Sequence, residues 1–124
     1  MQQNDKKTVI LGASDKAHRY SYMAQRSLMG AGHSVIPVHP VIEEIMGVKV
    51  TKKITDINED IHTVTLYVGS ERVEALIDDI LALKPERIIS NPGTENSNLK
   101  QKALEKGIEY IEGCTLVMLS IGEF

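Results

Sequence analysis

Short apolar runs alternate along the chain with segments whose apolar residues recur every three or four positions. The runs are rich in β-branched residues and bounded by glycine, proline or asparagine, a pattern typical of buried strands in a parallel sheet. They predict strands at Thr8–Leu11, His33–Val38, Thr63–Val68, Arg87–Ser90 and Ile108–Ile111.

The segments between these runs predict helices. Apolar positions recur at helical spacing over Tyr20–Ala31, and a second helix opens at Ser70 and is closed by Pro85. A third helix is predicted over Asn98–Lys106, where the following glycine provides a C-cap. By contrast, Val41–Asp60 is predicted to be an irregular connection with one helical turn.

This alternation of strands and helices predicts the fold. Strands joined through helices run parallel, with right-handed crossovers and helices on both faces. We therefore expect an α/β fold, a single Rossmann-like domain over residues 1–124 with an open parallel sheet of about five strands. Residues 1–7 are predicted to form a flexible N-terminal tail. Ligands of such sheets bind at the carboxyl ends of the strands, so the loops there are the candidate site.

Composition narrows the classes of partner. A formal net charge of -3 over 124 residues supplies no broad cationic field for a nucleic-acid backbone. One cysteine, Cys114, cannot form an internal disulfide, and no apolar run approaches the ~20 residues that span a membrane. We expect a cytoplasmic protein that binds neither nucleic acid nor membrane. A homodimer would cover the open edges of the sheet.

The loops after the first two strands favour a phosphate-bearing ligand over a standard NAD site. Gly12 permits a tight turn and close approach of backbone N–H groups to a phosphate at the next helix. The dinucleotide fingerprint is absent, since Ser14 and Ala17 occupy its later glycine positions. Where an NAD site has an acidic residue for the ribose, this chain has Val38-His39-Pro40, a stiff rim for a base or ribose.

The sequence shows no catalytic constellation. Cys114 is expected to be buried against Leu116 and Val117. The four histidines lack the spacing of a helical zinc pair, and one cysteine cannot build a thiolate metal site. Neither catalytic nor metal-ligating residues are therefore predicted.

An ordered set of short motifs extends over nearly the whole chain: Gly12-Ala13-Ser14, Tyr20-Ser21-Tyr22, the stretch from Gly32 to Pro40, Gly47, Asp56-Ile57, the stretch from Asn91 to Asn96, Gly107-Ile108 and Cys114. In this set the chain resembles the small stand-alone CoA-binding proteins related to the nucleotide-binding domain of the succinyl-CoA synthetase α subunit. The family more often has asparagine where His39 stands and a Gln-Leu-Gly type of turn where Asn91-Pro92-Gly93 stands. CoA ligase activity is not implied, because the ligase needs further domains.

The resemblance implies a role for each loop. The first turn would cradle the CoA phosphates, with Lys16 and Arg19 as partners of the pyrophosphate or 3′-phosphate. The segment from Pro37 to Pro40 would flank the adenosine, and Tyr67 to Gly69 would border the base. The candidate cofactor-binding residues are Gly12, Ala13, Ser14, Lys16, Arg19, Tyr20, Ser21, Pro37, Val38, His39, Pro40, Tyr67, Val68, Gly69, Asn91, Pro92 and Gly93.

Three functions are compatible with these observations. The first is a module that binds coenzyme A or an acyl-CoA without catalysis. The second is an enzyme that uses a nicotinamide or another nucleotide, against which the missing ribose acid argues. The third is a structural or partner-binding protein with a decayed nucleotide site, which the incomplete glycine pattern and His39 would suit.

Overall fold

A computed structural model describes residues 4–124 as an α/β domain. In chain order its elements are β1 (Thr8–Leu11), α1 (Tyr20–Gly30), β2 (Val35–Val38), β3 (Glu44–Ile45), β4 (Val48–Lys49), a 3-10 turn (Ile54–Asp56), β5 (Thr63–Leu66), α2 (Ser70–Ala82), β6 (Arg87–Ser90), α3 (Ser97–Glu105), β7 (Glu109–Glu112) and α4 (Thr115–Ser120). The predicted strands and helices are all present. Thr8–Leu11 and Arg87–Ser90 have the predicted bounds, and the ends of the other elements differ from the predicted ones by at most three residues.

Five strands form one parallel sheet in the order β2-β1-β5-β6-β7. Thr8 of β1 lies opposite Val35 on one side and Thr63 on the other, so neighbouring strands start and end level with one another. The chain moves outward from β1 to β2 and then returns to the other side of β1. The strand order thus reverses between β1 and β5, which is where an open α/β sheet forms a crevice for ligands.

Side chains of successive strand residues enter two separate cores, because neighbours on a strand point to opposite faces. Val9 and Leu11 pack with residues of α2 and α3, whereas Ile10 packs with residues of α1 and α4. In β6, Ile88 and Ile89 divide in the same way, whereas both apolar core residues of β5, Val64 and Leu66, belong to the first core. The predicted Rossmann-like fold with helices on both faces is confirmed.

The predicted irregular connection contains a small hairpin. Within Val41–Asp60, β3 and β4 pair antiparallel around Met46 and Gly47, both of which have positive φ angles (51° and 79°). Such a turn is ordinarily signalled by Asn-Gly or Asp-Gly, so methionine at its first position conceals it. Beyond the hairpin, Thr51 forms a bridge to Val38 and covers the end of the β2 edge.

Both ends of the described chain make contacts beside the sheet. Asp5 accepts hydrogen bonds from the backbone N–H and hydroxyl of Ser34 at 2.7 and 2.6 Å, and these bonds lower the pKa of its carboxyl. At the other end the ring of Phe124 lies 4.2 Å from the guanidinium carbon of the buried Arg87. Asp5 is thus hydrogen-bonded to the residue that precedes β2, and residues 1–3 lie outside the described part of the chain. The flexible tail over residues 1–7 stays a prediction.

The helix α4 was not predicted, and it changes the interpretation of Cys114. Cys114 immediately precedes the helix and is half-buried, while Val117 is 53% exposed. The expectation that Cys114 is buried against Leu116 and Val117 is therefore wrong. Thr115, which begins the helix, is the fully buried residue of this segment.

Candidate functional site

A pocket of about 520 Å³ opens at the carboxyl ends of β1 and β5, where the strand order reverses. We call it the switch-point pocket. It is lined by Gly12, Ala13, Ser14, Asp15, Lys16, Arg19, Tyr20, Ser21, His39, Ile42, Tyr67, Val68, Gly69 and Arg72. The fold thus brings the loops after three strands and the first turn of α2 to one cavity.

Gly12 makes the close packing of two of these loops possible. Its φ is +96°, and a Cβ atom at this position would lie 2.8 Å from the carbonyl oxygen of Tyr67 and from a side-chain carbon of Val68. The backbone N–H groups of Gly12 and Ala13 donate to the carbonyl oxygen of Val38, at 3.3 and 3.1 Å. These two N–H groups are therefore already hydrogen-bonded to the end of β2. An anion at this turn would be bound by the backbone N–H groups of the residues that follow.

Two helices direct uncapped amino ends at the pocket. The residues preceding α1 and α2 are Arg19 and Gly69, and neither makes a side-chain capping hydrogen bond. In α3, by contrast, the Asn96 side chain accepts from the backbone N–H of Leu99 at 2.9 Å. Unsatisfied N–H groups and the helix dipole favour an anion at the first two ends.

The charged side chains around the pocket are predominantly cationic. Lys16, Arg19 and Arg72 line it together with one carboxylate, Asp15. The side-chain ion pairs within residues 4–124 join Lys7 to Glu59 and His62 to Glu86, so the pocket cations are not neutralised by a protein carboxylate. A chain of net charge -3 thus has a local cationic surface at this edge of the sheet.

Tyr67 forms a largely apolar wall of the pocket. Its hydroxyl oxygen is shielded from solvent and has no hydrogen-bond partner among the described residues. Burial raises the pKa of the phenol to about 12, so the group stays protonated at neutral pH. The ring offers an apolar surface, while the hydroxyl is unsuited to act as a base.

His39 organises the loop after β2. Its Nδ1 accepts hydrogen bonds from the backbone N–H groups of Val41 and Ile42, both at 3.0 Å. An accepting Nδ1 places the ring proton of neutral imidazole on Nε2. An asparagine carbonyl can accept in the same local manner. An asparagine at this position could therefore also cap the loop.

Two substitutions of His39 test whether its hydrogen bonds to the loop, rather than the size of its side chain, stabilise the protein. We expect His39→Leu to lower the free energy of unfolding by about 1 kcal/mol, because two loop amides lose their acceptor. His39→Asn restores an acceptor and should cost less than about half as much. Urea unfolding followed by circular dichroism measures both values. Equal losses in the two variants would contradict the capping role.

A second cavity of about 250 Å³ adjoins the switch-point pocket on the β2 side. We call it the side compartment. Its apolar lining includes Leu11, Val38, Ile54, Val68 and Leu76, and its charged lining consists of Lys52, Lys53, Arg72 and Asp79. Gly12, His39, Val68 and Arg72 line both cavities, so the two form a continuous groove along the sheet edge.

Most of the sequence-predicted site residues lie along this groove. Those in the switch-point pocket are Gly12, Ala13, Ser14, Lys16, Arg19, Tyr20, Ser21, His39, Tyr67, Val68 and Gly69. Val38 and Pro40 line the side compartment, again with His39. Pro37, Asn91, Pro92 and Gly93 line neither cavity. The groove therefore runs from the β5 loop to the β2 loop and does not reach the loop after β6.

Asn91 is instead part of a buried hydrogen-bond network. Its amide nitrogen donates to the hydroxyl of Thr65 at 2.7 Å and to the carbonyl of Leu66 at 2.8 Å. Its amide oxygen accepts from the backbone N–H of Thr115 at 2.9 Å. One side chain thus joins the ends of β5 and β6 to the start of α4.

Sequence reasoning missed three cationic residues of the groove. Arg72 lies in the first turn of α2, and Lys52 and Lys53 precede the 3-10 turn. Arg72 follows the predicted Ser70 helix start by two residues, so its placement at the sheet edge was a usable signal. The sequence alone does not show that the two lysines line the side compartment, because their position depends on the hairpin of β3 and β4.

Two further features of the described chain bear on its chemistry. Within residues 4–124, no group of three or more His, Cys, Asp or Glu side chains is placed to hold a metal ion. None of the helices described is long and apolar enough to cross a membrane.

Comparison with known proteins gives the family. The model of the CoA binding domain matches residues 6–120. The uncharacterized protein YneT of Bacillus subtilis (strain 168) is 30% identical over 105 residues, which are 85% of this chain and 78% of that protein. A crystal structure of an uncharacterized protein is 43% identical, with a TM-score of 0.93 over 98% of this chain and 100% of that one.

A larger protein contains the same fold. The dinucleotide forming acetyl-coenzyme A synthetase 1 of Ca. Korarchaeum cryptofilum superposes with a TM-score of 0.73 at 22% identity, over 89% of this chain and 26% of that one. At this identity the likeness concerns the fold alone. With the family model matching nearly the whole of its length, this chain belongs to the CoA-binding domain family.

Proposed function

We propose that the chain binds coenzyme A or an acyl-CoA along the groove formed by the switch-point pocket and the side compartment. The observation that carries the proposal is the convergence of two uncapped helix ends and unpaired cations on one crevice at the strand-order reversal. Membership of the CoA-binding domain family supports it.

The switch-point pocket suits the pyrophosphate. The amino ends of α1 and α2 supply N–H groups and positive dipole ends, and Lys16 and Arg19 supply full charges. Because Gly12 and Ala13 already donate to Val38, we assign the phosphate contacts to the amides from Ser14 onward and to the first turn of α1.

The side compartment suits the adenosine. Its lining is mainly aliphatic, and a flat base can pack between the β2 end, with Val38 and Pro40, and the α2 face at Leu76. The pantetheine arm would then leave on the opposite side, past Tyr20, which lines the switch-point pocket and is 69% exposed. The acyl group would lie outside the pocket or against this ring.

The proposal is for binding and not for a reaction. The Nδ1 of His39 is engaged by two loop amides, and the pKa of Tyr67 is too high for proton transfer near neutral pH. The lining residues are suited to holding phosphates rather than to making or breaking a bond. The cytoplasmic location and the homodimer remain predictions.

Isothermal titration calorimetry with CoA tests the proposal. We expect saturable binding at one site, weakened about tenfold or more in Arg19→Gln, since a charge-assisted phosphate contact is worth 1.5–3 kcal/mol. Arg26→Gln is the matched control, because Arg26 is an exposed residue of α1 outside the pocket lining. NADH should not compete. Absence of heat and of a thermal shift at millimolar CoA would overturn the proposal.

A further inference from the structure

We propose that the side compartment recognises a 3′-phosphorylated adenosine, so that the protein distinguishes CoA from ligands that lack this phosphate. This inference rests on the proposed function and names the part of the ligand that sets specificity. The observation behind it is a second group of cations, Lys52, Lys53 and Arg72, around a mainly aliphatic compartment.

The two lysines are held in place by the backbone that precedes them. The N–H of Thr51 donates to the carbonyl of Pro37 at 2.9 Å, and the N–H of His39 donates to the carbonyl of Thr51 at 3.0 Å. On the other side, Ile54 is buried in the core with 4% of its surface exposed. The two lysines therefore leave a fixed segment beside the carboxyl end of β2, although their side chains are exposed.

Arg72 faces the lysines across the compartment. It lies in the first turn of α2 and lines both cavities, so the two halves of the groove share this cation. The one carboxylate in the lining of the side compartment is Asp79, and it forms no ion pair with the three cations. The compartment thus has an excess of positive charge that an uncharged ribose would leave unmatched.

The two cationic regions of the groove correspond to the two separate anionic parts of CoA. Lys16 and Arg19 serve the switch-point pocket, and Lys52 and Lys53 serve the side compartment. CoA carries a pyrophosphate and, on the ribose of its adenosine, a separate 3′-phosphate. With the pyrophosphate in the first cavity and the base in the second, the ribose phosphate lies at the rim of the second, within the field of the lysines and Arg72.

The test compares CoA with dephospho-CoA by calorimetry at fixed ionic strength. We expect wild-type protein to prefer CoA by about tenfold, and the preference to fall with added salt because the lysines are exposed. The double variant Lys52→Gln/Lys53→Gln should lose most of this preference while its affinity for dephospho-CoA stays unchanged. Lys49→Gln is the control, because Lys49 lies on β4 outside both cavities and should leave the preference intact.

The possible results separate this inference from the proposed function. Equal affinity of wild-type protein for CoA and dephospho-CoA would overturn the inference and leave the function standing. A preference that survives in the double variant would overturn the assignment to the lysines. Tighter binding of 2′,5′-ADP than of 3′,5′-ADP would overturn the recognition of the 3′-phosphate. Failure of both CoA and dephospho-CoA to bind would overturn the function and the inference together. Thermal unfolding of each variant checks that the fold is retained.

Discussion

Gly12→Ala is expected to lower the free energy of unfolding by about 3 kcal/mol and to abolish CoA binding. A left-handed conformation costs an alanine roughly 1–2 kcal/mol, since φ at this position is +96°. The added Cβ would also lie 2.8 Å from the carbonyl oxygen of Tyr67, and relief of that overlap costs roughly 1–3 kcal/mol. Urea unfolding gives the stability change, and calorimetry gives the loss of binding.

Gly47→Ala is the matched control for this variant. Gly47 also has a positive φ, +79°, but no atom lies within 4 Å of its ideal Cβ position. It should therefore show the conformational cost alone, about 1 kcal/mol, and retain binding. If both variants lost the same stability, the contact between the β1 and β5 loops would not be the reason for glycine at position 12.

The three central strands of the sheet could be predicted from the sequence because they are buried on both faces. Thr8–Leu11 and Arg87–Ser90 are fully buried, and their apolar runs end where the strands end. The hairpin at β3 and β4 could not be predicted, because its strands have two residues each and its turn begins with Met46 in a positive φ conformation. Such short elements are specified by contacts with β2 and α1, which the local sequence does not show.

The part of the candidate site that follows from the strand order alone could be predicted from the sequence. The loops after β1, β2 and β5 meet because parallel strands end at one edge, and the glycine and proline residues there mark the loops. The same rule also predicts that the loop after β6 contacts the ligand, and this stays a prediction. The loop after β6 is one strand further from the reversal, and its asparagine binds the protein itself.

Asn91 is a case in which one residue type fits two roles. An asparagine followed by proline and glycine suits a ligand-binding turn, but it suits a buried hydrogen-bond network equally well. The partners that decide between these roles are Thr65 and Thr115, which lie 26 and 24 residues away in the chain. Only the fold brings them together, so sequence reasoning had no means to detect the network.

Asn91→Ala is therefore expected to lower stability and leave the ligand site intact. The variant removes the partners of the Leu66 carbonyl and the Thr115 amide, at a residue only 3% exposed. Each unsatisfied buried group costs roughly 1–3 kcal/mol, so we expect a loss of about 3 kcal/mol in urea unfolding. The affinity for CoA, measured where the variant remains folded, should stay within about threefold of wild type.

Asn98→Ala controls for the loss of an asparagine amide near the same loop. Asn98 is exposed, and its amide donates to Glu74 on the protein surface, so its removal should cost less than about 0.5 kcal/mol. A tenfold fall in CoA affinity for Asn91→Ala, with stability unchanged, would restore Asn91 to the ligand site. Stability lost with affinity retained places the role of this side chain in joining β5, β6 and α4.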